Sequence, residues 1–268
     1  MPQDPDSPAP AGAERPGPAP ADFDRPSPAR AHDWLLGGTL NTAVDRDAAD
    51  LALRRLPGLR ELARLNRAFL HRAVRHLLAA GIRQFLDLGS GLPTMAPAHH
   101  VTRAHDEAIP VVYVDHDPTT LAHARLLLED SPAAVIVDAD LRDPGRVLRH
   151  PGVAGRLDPD RPLGVLAVDV LDALPDDDHP ERLADAYLAA LPPGSAFALT
   201  HLTADHRPEP TGPLPRHPRP PEVLLAGFAG RPTAAPGVVP PWEWRPDHRL
   251  ERPPPLAALA AVLGPVDG

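Results

Sequence analysis

The run Gln84-Phe85-Leu86-Asp87-Leu88-Gly89-Ser90-Gly91-Leu92-Pro93-Thr94 constrains this chain more than any other stretch. Phe85 to Leu88 is an apolar segment of strand length, and it stops at two glycines spaced Gly-x-Gly. Glycine accepts backbone conformations closed to other residues and lets a ligand come close to the main chain. One crossover later comes a second apolar segment, Val111-Val112-Tyr113-Val114, ended by Asp115. Strand, glycine turn, helix, strand and terminal acid is the layout of a βαβ nucleotide-binding unit, whose acid accepts hydrogen bonds from ribose hydroxyls. The third glycine of the dinucleotide fingerprint is missing, because Thr94 stands in its place.

The alternation continues along the chain. Val135 to Asp140 reads as a third strand ending in acids, Pro162 to Leu174 as a nearly continuous apolar fourth, and Ser195 to His201 as a fifth. Between them, Pro97 to Ala108, Asp117-Pro118 to about Glu129, and Pro180 to Leu191 read as helices, with Asp117 as an N-cap. Upstream, Asp45 to Leu56 and Leu59 to Ala80 are helical; in the second, Leu59, Leu62, Phe69, Ala73 and Leu77 recur at helical steps before Gly81. Asn66 interrupts that apolar face and serves either a ligand or the core. Trp34, Leu35 and Leu36 form an apolar knot broken by Gly37-Gly38, consistent with a packed surface loop. The sum is an α/β doubly wound, mostly parallel Rossmann-like sheet with an N-terminal helical cap.

Proline marks the boundaries, since it opposes helices and central strands. Its 39 copies crowd the two ends and the stretch before Pro221. The expected division is a disordered Pro/Ala-rich tail over 1–27, a domain over 28–206 and a Pro-rich loop over 207–221. A further part of the same domain follows over 222–247, with a short helix near Glu222 to Phe228 and an edge strand at Trp242-Glu243-Trp244, then a weakly structured tail over 248–268. The absence of cysteine excludes disulfides and cysteine zinc sites and suits a cytoplasmic setting. No run reaches membrane-spanning length, and a net charge of −9 argues against nucleic acid as a partner. Every basic residue is arginine, which suggests a GC-rich bacterial genome. His99, His100 and His105 lack the spacing of a zinc helix and read as surface residues, and Asp176-Asp177-Asp178 reads as a solvated loop, so no metal is expected.

Ligands of such sheets lie beyond the carboxyl ends of the strands. By position alone, Asp169, Asp172 and His201 are therefore candidates for a general base.

Several ordered motifs together resemble one family. Asp87 gives the glycine turn an Asp-x-Gly-x-Gly form, closer to an S-adenosylmethionine signature than to an NAD signature. Asp33-Trp34-Leu35-Leu36-Gly37-Gly38 with Asn41, Asn66-Arg67-Ala68-Phe69-Leu70, Val112 to Pro118, Asp138 to Pro144 and Pro175 to Asp178 complete the likeness. It is similar to the bacterial S-adenosylmethionine-dependent methyltransferases formerly grouped as a domain of unknown function, and it runs from about Ser27 to Asp205. The resemblance implies a methyltransferase with S-adenosyl-L-methionine as cofactor and a small-molecule acceptor. It implies that Gly89 and Gly91 admit the methionine end, Asp115 holds the ribose and Asp140 meets the adenine. The segment from Asp33 to Asn41 would close over the amino-acid moiety, with Asp87, Ser90, His116 and Leu141 completing the pocket. The chain departs from the family in three places. His32 replaces a tyrosine, Thr39-Leu40-Asn41-Thr42 replaces Lys-Asp-Asn-Phe, and Asp172-Ala173 replaces His-Phe. These changes leave open a catalytically silent S-adenosylmethionine-binding protein. An NAD-dependent oxidoreductase is disfavoured by the incomplete glycine fingerprint. The sequence leaves the oligomeric state open.

Overall fold

A computed structural model describes residues 22–204 and 213–264. Most of the expected N-terminal tail and the first half of the Pro-rich loop lie outside the described residues. Three helices open the fold: α1 Pro28–Leu36, α2 Ala43–Arg55 and α3 Leu59–Ala79. Strand and helix then alternate through β1 Phe85–Leu88, α4 Ala98–His105, β2 Val111–Asp115, α5 Pro118–Leu127 and β3 Ala134–Asp138. The second half adds α6 Pro144–Arg149, α7 Pro151–Ala154, β4 Gly164–Ala167, α8 Pro180–Ala189, β5 Ala196–Thr203, α9 Pro221–Phe228 and β6 Ala257–Leu263.

The six strands form one sheet in the order β3-β2-β1-β4-β5-β6. All neighbours are parallel except β5 and β6. The order reverses between β1 and β4, and that switch point is where a doubly wound sheet opens a crevice for ligand. Alternate residues of each strand feed two apolar layers. Phe85 joins α3, α4 and α5 on one face, while Leu86 and Leu88 join α6 to α9 on the other. The N-terminal cap has a small core of its own, in which Ala31, Leu35 and Leu36 of α1 meet Ala49 of α2 and Leu59 and Ala63 of α3.

Several expectations need correction. The knot at Trp34 to Leu36 is the end of α1, because Pro28 starts a helix that Gly37 stops at φ 92°. Residues 22–27 of the expected tail are held, because the Arg30 guanidinium donates to the carbonyls of Asp22 and Arg25 and its Nε pairs with buried Asp45 at 2.7 Å. The fourth strand ends at Ala167. The apolar residues after it pack a tight 3-10 turn, Leu171–Ala173, instead of extending the sheet. The weakly structured tail is in fact β6, whose small side chains let it lie flat against all of β5 from Phe197 to Thr203. Trp244 lies in a turn and not in an edge strand. It is fully buried, edge-on to Phe69 at 5.3 Å, and Arg72 fixes its loop by donating to the carbonyls of Trp244 and Pro241. His99 is buried too, because its Nδ1 meets the Tyr113 hydroxyl at 2.8 Å, and only His100 and His105 of the three are exposed.

Trp244→Ala removes the largest fully buried side chain. Denaturant unfolding should show a loss of about 3–5 kcal/mol, as for other aromatic deletions in a packed core; a loss below about 1 kcal/mol would place Trp244 outside the core.

Candidate active site

The glycine turn sits at the carboxyl end of β1, and its geometry explains its residues. Gly89 and Gly91 have φ of 59° and 60°, in the left-handed region that a side chain disfavours. A Cβ at Gly89 would also overlap Val170 on the turn that follows β4. The turn is held by Asp115 at the tip of β2. Its Oδ2 accepts from the Gly91 N–H at 2.9 Å, and its Oδ1 accepts from the N–H groups of His116 and Asp117 at 2.8 and 3.0 Å. Burial nevertheless raises the Asp115 pKa above the ordinary carboxylate value, against the pull of those three bonds. Asp117 behaves as an N-cap, accepting from Thr120 N–H at 2.8 Å.

The segment after α1 is organised by Asp33, which is buried. Its carboxylate accepts from the Leu40 N–H, from Asn41 Nδ2 and from the Thr94 hydroxyl at 2.8, 3.1 and 2.7 Å. Gly38 passes so close that any side chain there would strike this carboxylate. Asp33 and Asn41 thus bond to each other and to the glycine-turn strand-end through Thr94, which fixes the segment beside β1.

A cleft opens at the switch point, lined by His32, Asn66, Arg67, Asp87, Ser90 and Asp169 and open to solvent. Asp87 is buried in its floor, and burial pushes its pKa up to about 7, opposed by Arg67 and helped by Asp115. Asn66 is 3% exposed, yet its side-chain oxygen has no hydrogen-bond partner. Among the described residues, Arg67 makes no hydrogen bond or ion pair, although it lines the same cleft. A bare main-chain cradle, an orphaned buried amide and an uncommitted cation fit a ligand that carries both polar and charged groups.

The rim beyond β4 brings together carboxylates that the sequence placed there only by position. Asp169 has φ 62°, rare for a residue with a side chain, and its N–H donates to the Thr200 hydroxyl at 2.9 Å. Arg216 donates to Asp169 Oδ1 at 3.1 Å and to Asp172 Oδ2 at 2.9 Å. Burial raises the pKa of Asp172, but Arg216 and His201 outweigh it and hold the group below the ordinary value. His201 does not stand at a strand tip as expected. It lies inside β5, 1% exposed, with Nδ1 near the Leu202 carbonyl and Nε2 accepting from Arg219 at 2.8 Å. Burial lowers its pKa, and both ring nitrogens are engaged within the protein.

At the far end of the crevice, Asp140 is gripped by Arg142 through Nε at 2.9 Å, and these bonds lower its pKa. Leu141 is buried, and its carbonyl accepts from the Tyr187 hydroxyl at 2.9 Å. His116 is exposed beside Asp115. The sequence reading missed Arg67, His32 as a site residue, and Arg216. Arg67 could have been found beside Asn66, one step along the same helix; Arg216 carries no local signal within its proline-rich stretch.

A family profile described as S-adenosyl methyltransferase matches residues 15–264. The chain belongs to this S-adenosyl methyltransferase family. A crystallised candidate methyltransferase from Thermobifida fusca is 38% identical, with 91% of this chain and 96% of that one covered at a TM-score of 0.83. A protein of domain-of-unknown-function family 574 from Streptomyces avermitilis is 31% identical, with 91% and 99% covered at a TM-score of 0.81. A comparison with curated proteins finds no match. Membership makes the chain a methyltransferase, and its cofactor is S-adenosylmethionine. Among the described residues, no helix is long and apolar enough to cross a membrane.

The raised Asp87 pKa has a consequence for stability. Between the ordinary value of 3.8 and about 7 the folded protein keeps a proton that the unfolded chain has released. Stability of the ligand-free protein should therefore fall as pH rises through that window. Asp87→Asn should remove this part of the slope, which thermal unfolding of both proteins across the window will read; parallel profiles for the two would contradict the assignment.

Proposed function

We propose that this methyltransferase acts on a small molecule bound at the rim between β1 and β4. The observation that carries this reading is the cleft itself. It gathers His32, Asn66, Arg67, Asp87 and Asp169 at the switch point of the sheet, where ligands of doubly wound sheets bind, and α1 lies against it, with Ala29 in van der Waals reach of a side chain placed at Gly91.

The chain's own residues divide the work of holding the cofactor. The Gly89-Ser90-Gly91 backbone leaves room for the methionine end, and Arg67 with Asn66 supplies a cation and an amide for its charged groups. Asp115 has about four lone-pair directions and spends three on backbone N–H groups, leaving acceptor capacity for a ribose hydroxyl beside His116. Asp140 and Leu141 frame the adenine position. Asp33 and Asn41 hold the cap segment in place, and buried Asp87 faces the cofactor from below. When bound, the cofactor supplies an electrophilic methyl group, so the protein's main task is to align an acceptor with it.

A second reading, a catalytically silent cofactor binder, has one observation in its favour: Arg216 engages both rim carboxylates, Asp169 and Asp172.

Calorimetry should show S-adenosylmethionine binding that weakens at least about 100-fold in Asp115→Ala, which loses both the turn and the ribose contact. Arg67→Ala should weaken it about 10- to 100-fold, the range for one hydrogen-bonded charge. Unchanged affinity in either variant would remove that residue from the site. Methyl-labelled cofactor incubated with a low-molecular-weight cell filtrate should yield a labelled product; intact binding without product would favour the silent reading.

A further inference from the structure

His32 and Asp169 face each other at the rim of the cleft. His32 Nδ1 lies 3.2 Å from Asp169 Oδ2. Both atoms are buried, neither has another hydrogen-bond partner, and their approach falls outside hydrogen-bond alignment. Both residues line the cleft with Asn66, Arg67, Asp87 and Ser90. The His32 side chain is 24% exposed, and since Nδ1 is the buried nitrogen, Nε2 is the one that reaches the cleft.

The surroundings fix Asp169 for this task. Its other oxygen is held by Arg216, its N–H by Thr200, and its backbone sits at φ 62°. Strain of this kind in a residue with a side chain persists where the surrounding structure over-determines it, and it clusters at working sites. A negative oxygen 3.2 Å from Nδ1 favours the tautomer that carries its proton there, which leaves the lone pair on Nε2. The charged groups facing His32 are Asp169 beyond β4, Arg67 on α3, Arg216 from the Pro-rich segment and Asp33 on α1. Burial is the largest influence and lowers the His32 pKa to about 4, so the ring is neutral near pH 7.

Resting on the proposed small-molecule methyl transfer, we infer that His32 Nε2 is the general base of the reaction, positioned by Asp169, and that the acceptor is a protic small molecule whose O–H or N–H must lose its proton. The acceptor's proton passes to Nε2, and the lone pair so freed forms the new bond to the methyl carbon. The carbon–sulfur bond breaks with its electron pair staying on sulfur, and His32 returns the proton to water. A group already lacking a proton, such as a thioether or a tertiary amine, would have no use for this pair.

Three measurements on the full chain test the assignment together. In protein labelled with ¹⁵N-histidine, His32 should show the Nδ1–H tautomer at neutral pH, and Asp169→Asn should shift it towards a mixture. By calorimetry, His32→Ala and His32→Gln should bind S-adenosylmethionine within about threefold of wild type. With methyl-labelled cofactor and the cell filtrate, both variants should lose about 10²-fold or more in product, the usual contribution of a general base. Added imidazole should restore turnover in His32→Ala in proportion to its free-base concentration. A variant that keeps wild-type turnover, a loss without imidazole rescue, or an Nε2–H tautomer in the wild type would each overturn the role of His32. Loss of cofactor binding in the wild type would instead overturn the reading on which the role rests.

Discussion

The Asp115 carboxylate is the contact on which the site depends. The parallel register sets Leu88 of β1 beside Val114 of β2, so the next residues, Gly89 and Asp115, emerge side by side. The chain after Gly89 then turns through two left-handed residues, a path with little intrinsic preference of its own. Asp115 makes that path stable by accepting the Gly91 N–H, and it directs the start of the next loop through His116 and Asp117. One side chain thus joins two strand ends and leaves the backbone bare at the switch point.

The crevice concentrates negative charge, and the structure answers it unevenly. Asp87 and Asp169 line the cleft, Asp115 lies beside the glycine turn, and Asp172 shares Arg216 with Asp169. Arg216 neutralises Asp169 and Asp172 from a segment whose backbone is tied back to the sheet, with His217 N–H donating to the Asp172 carbonyl at 2.6 Å and Arg219 N–H to the Leu202 carbonyl at 3.2 Å. A proline-rich stretch therefore completes the electrostatics of the rim. Asp87 and Asp115 have no such partner and rise in pKa instead, with Arg67 as the nearby cation. That imbalance is a reason for a positively charged ligand to be welcome in the cleft, and the sulfonium of the family's cofactor is one.

Much of this was legible in the residues. The strand–turn–strand run from Phe85 to Asp115 dictates local geometry that has few alternatives, so the parallel pairing of β1 with β2 and the doubly wound class follow from it. The N-cap at Asp117 was equally plain, because a short acid before proline does one structural job well. What failed was whatever depends on contacts distant in sequence. The small residues from Ala257 to Leu263 carry little strand propensity, and only pairing with β5 makes them a strand. His201 looked like a strand tip because β5 extends two residues further than its apolar run. His32 stood out only as a replacement of the family's tyrosine, since nothing nearby in the sequence says that Asp169 will face it from 137 positions away, the difference between 169 and 32.

The central claim is spatial: the cofactor lies over the Gly89–Gly91 backbone with its ribose at Asp115 and its sulfur towards the β4 rim. A crystal structure of the full chain grown with S-adenosylhomocysteine tests it most directly. The account predicts a ribose hydroxyl within hydrogen-bond distance of Asp115, the carboxylate of the ligand at Arg67, and the sulfur facing the space between His32 and Asp169. Density for the ribose away from Asp115, or a sulfur directed away from that rim, would contradict it.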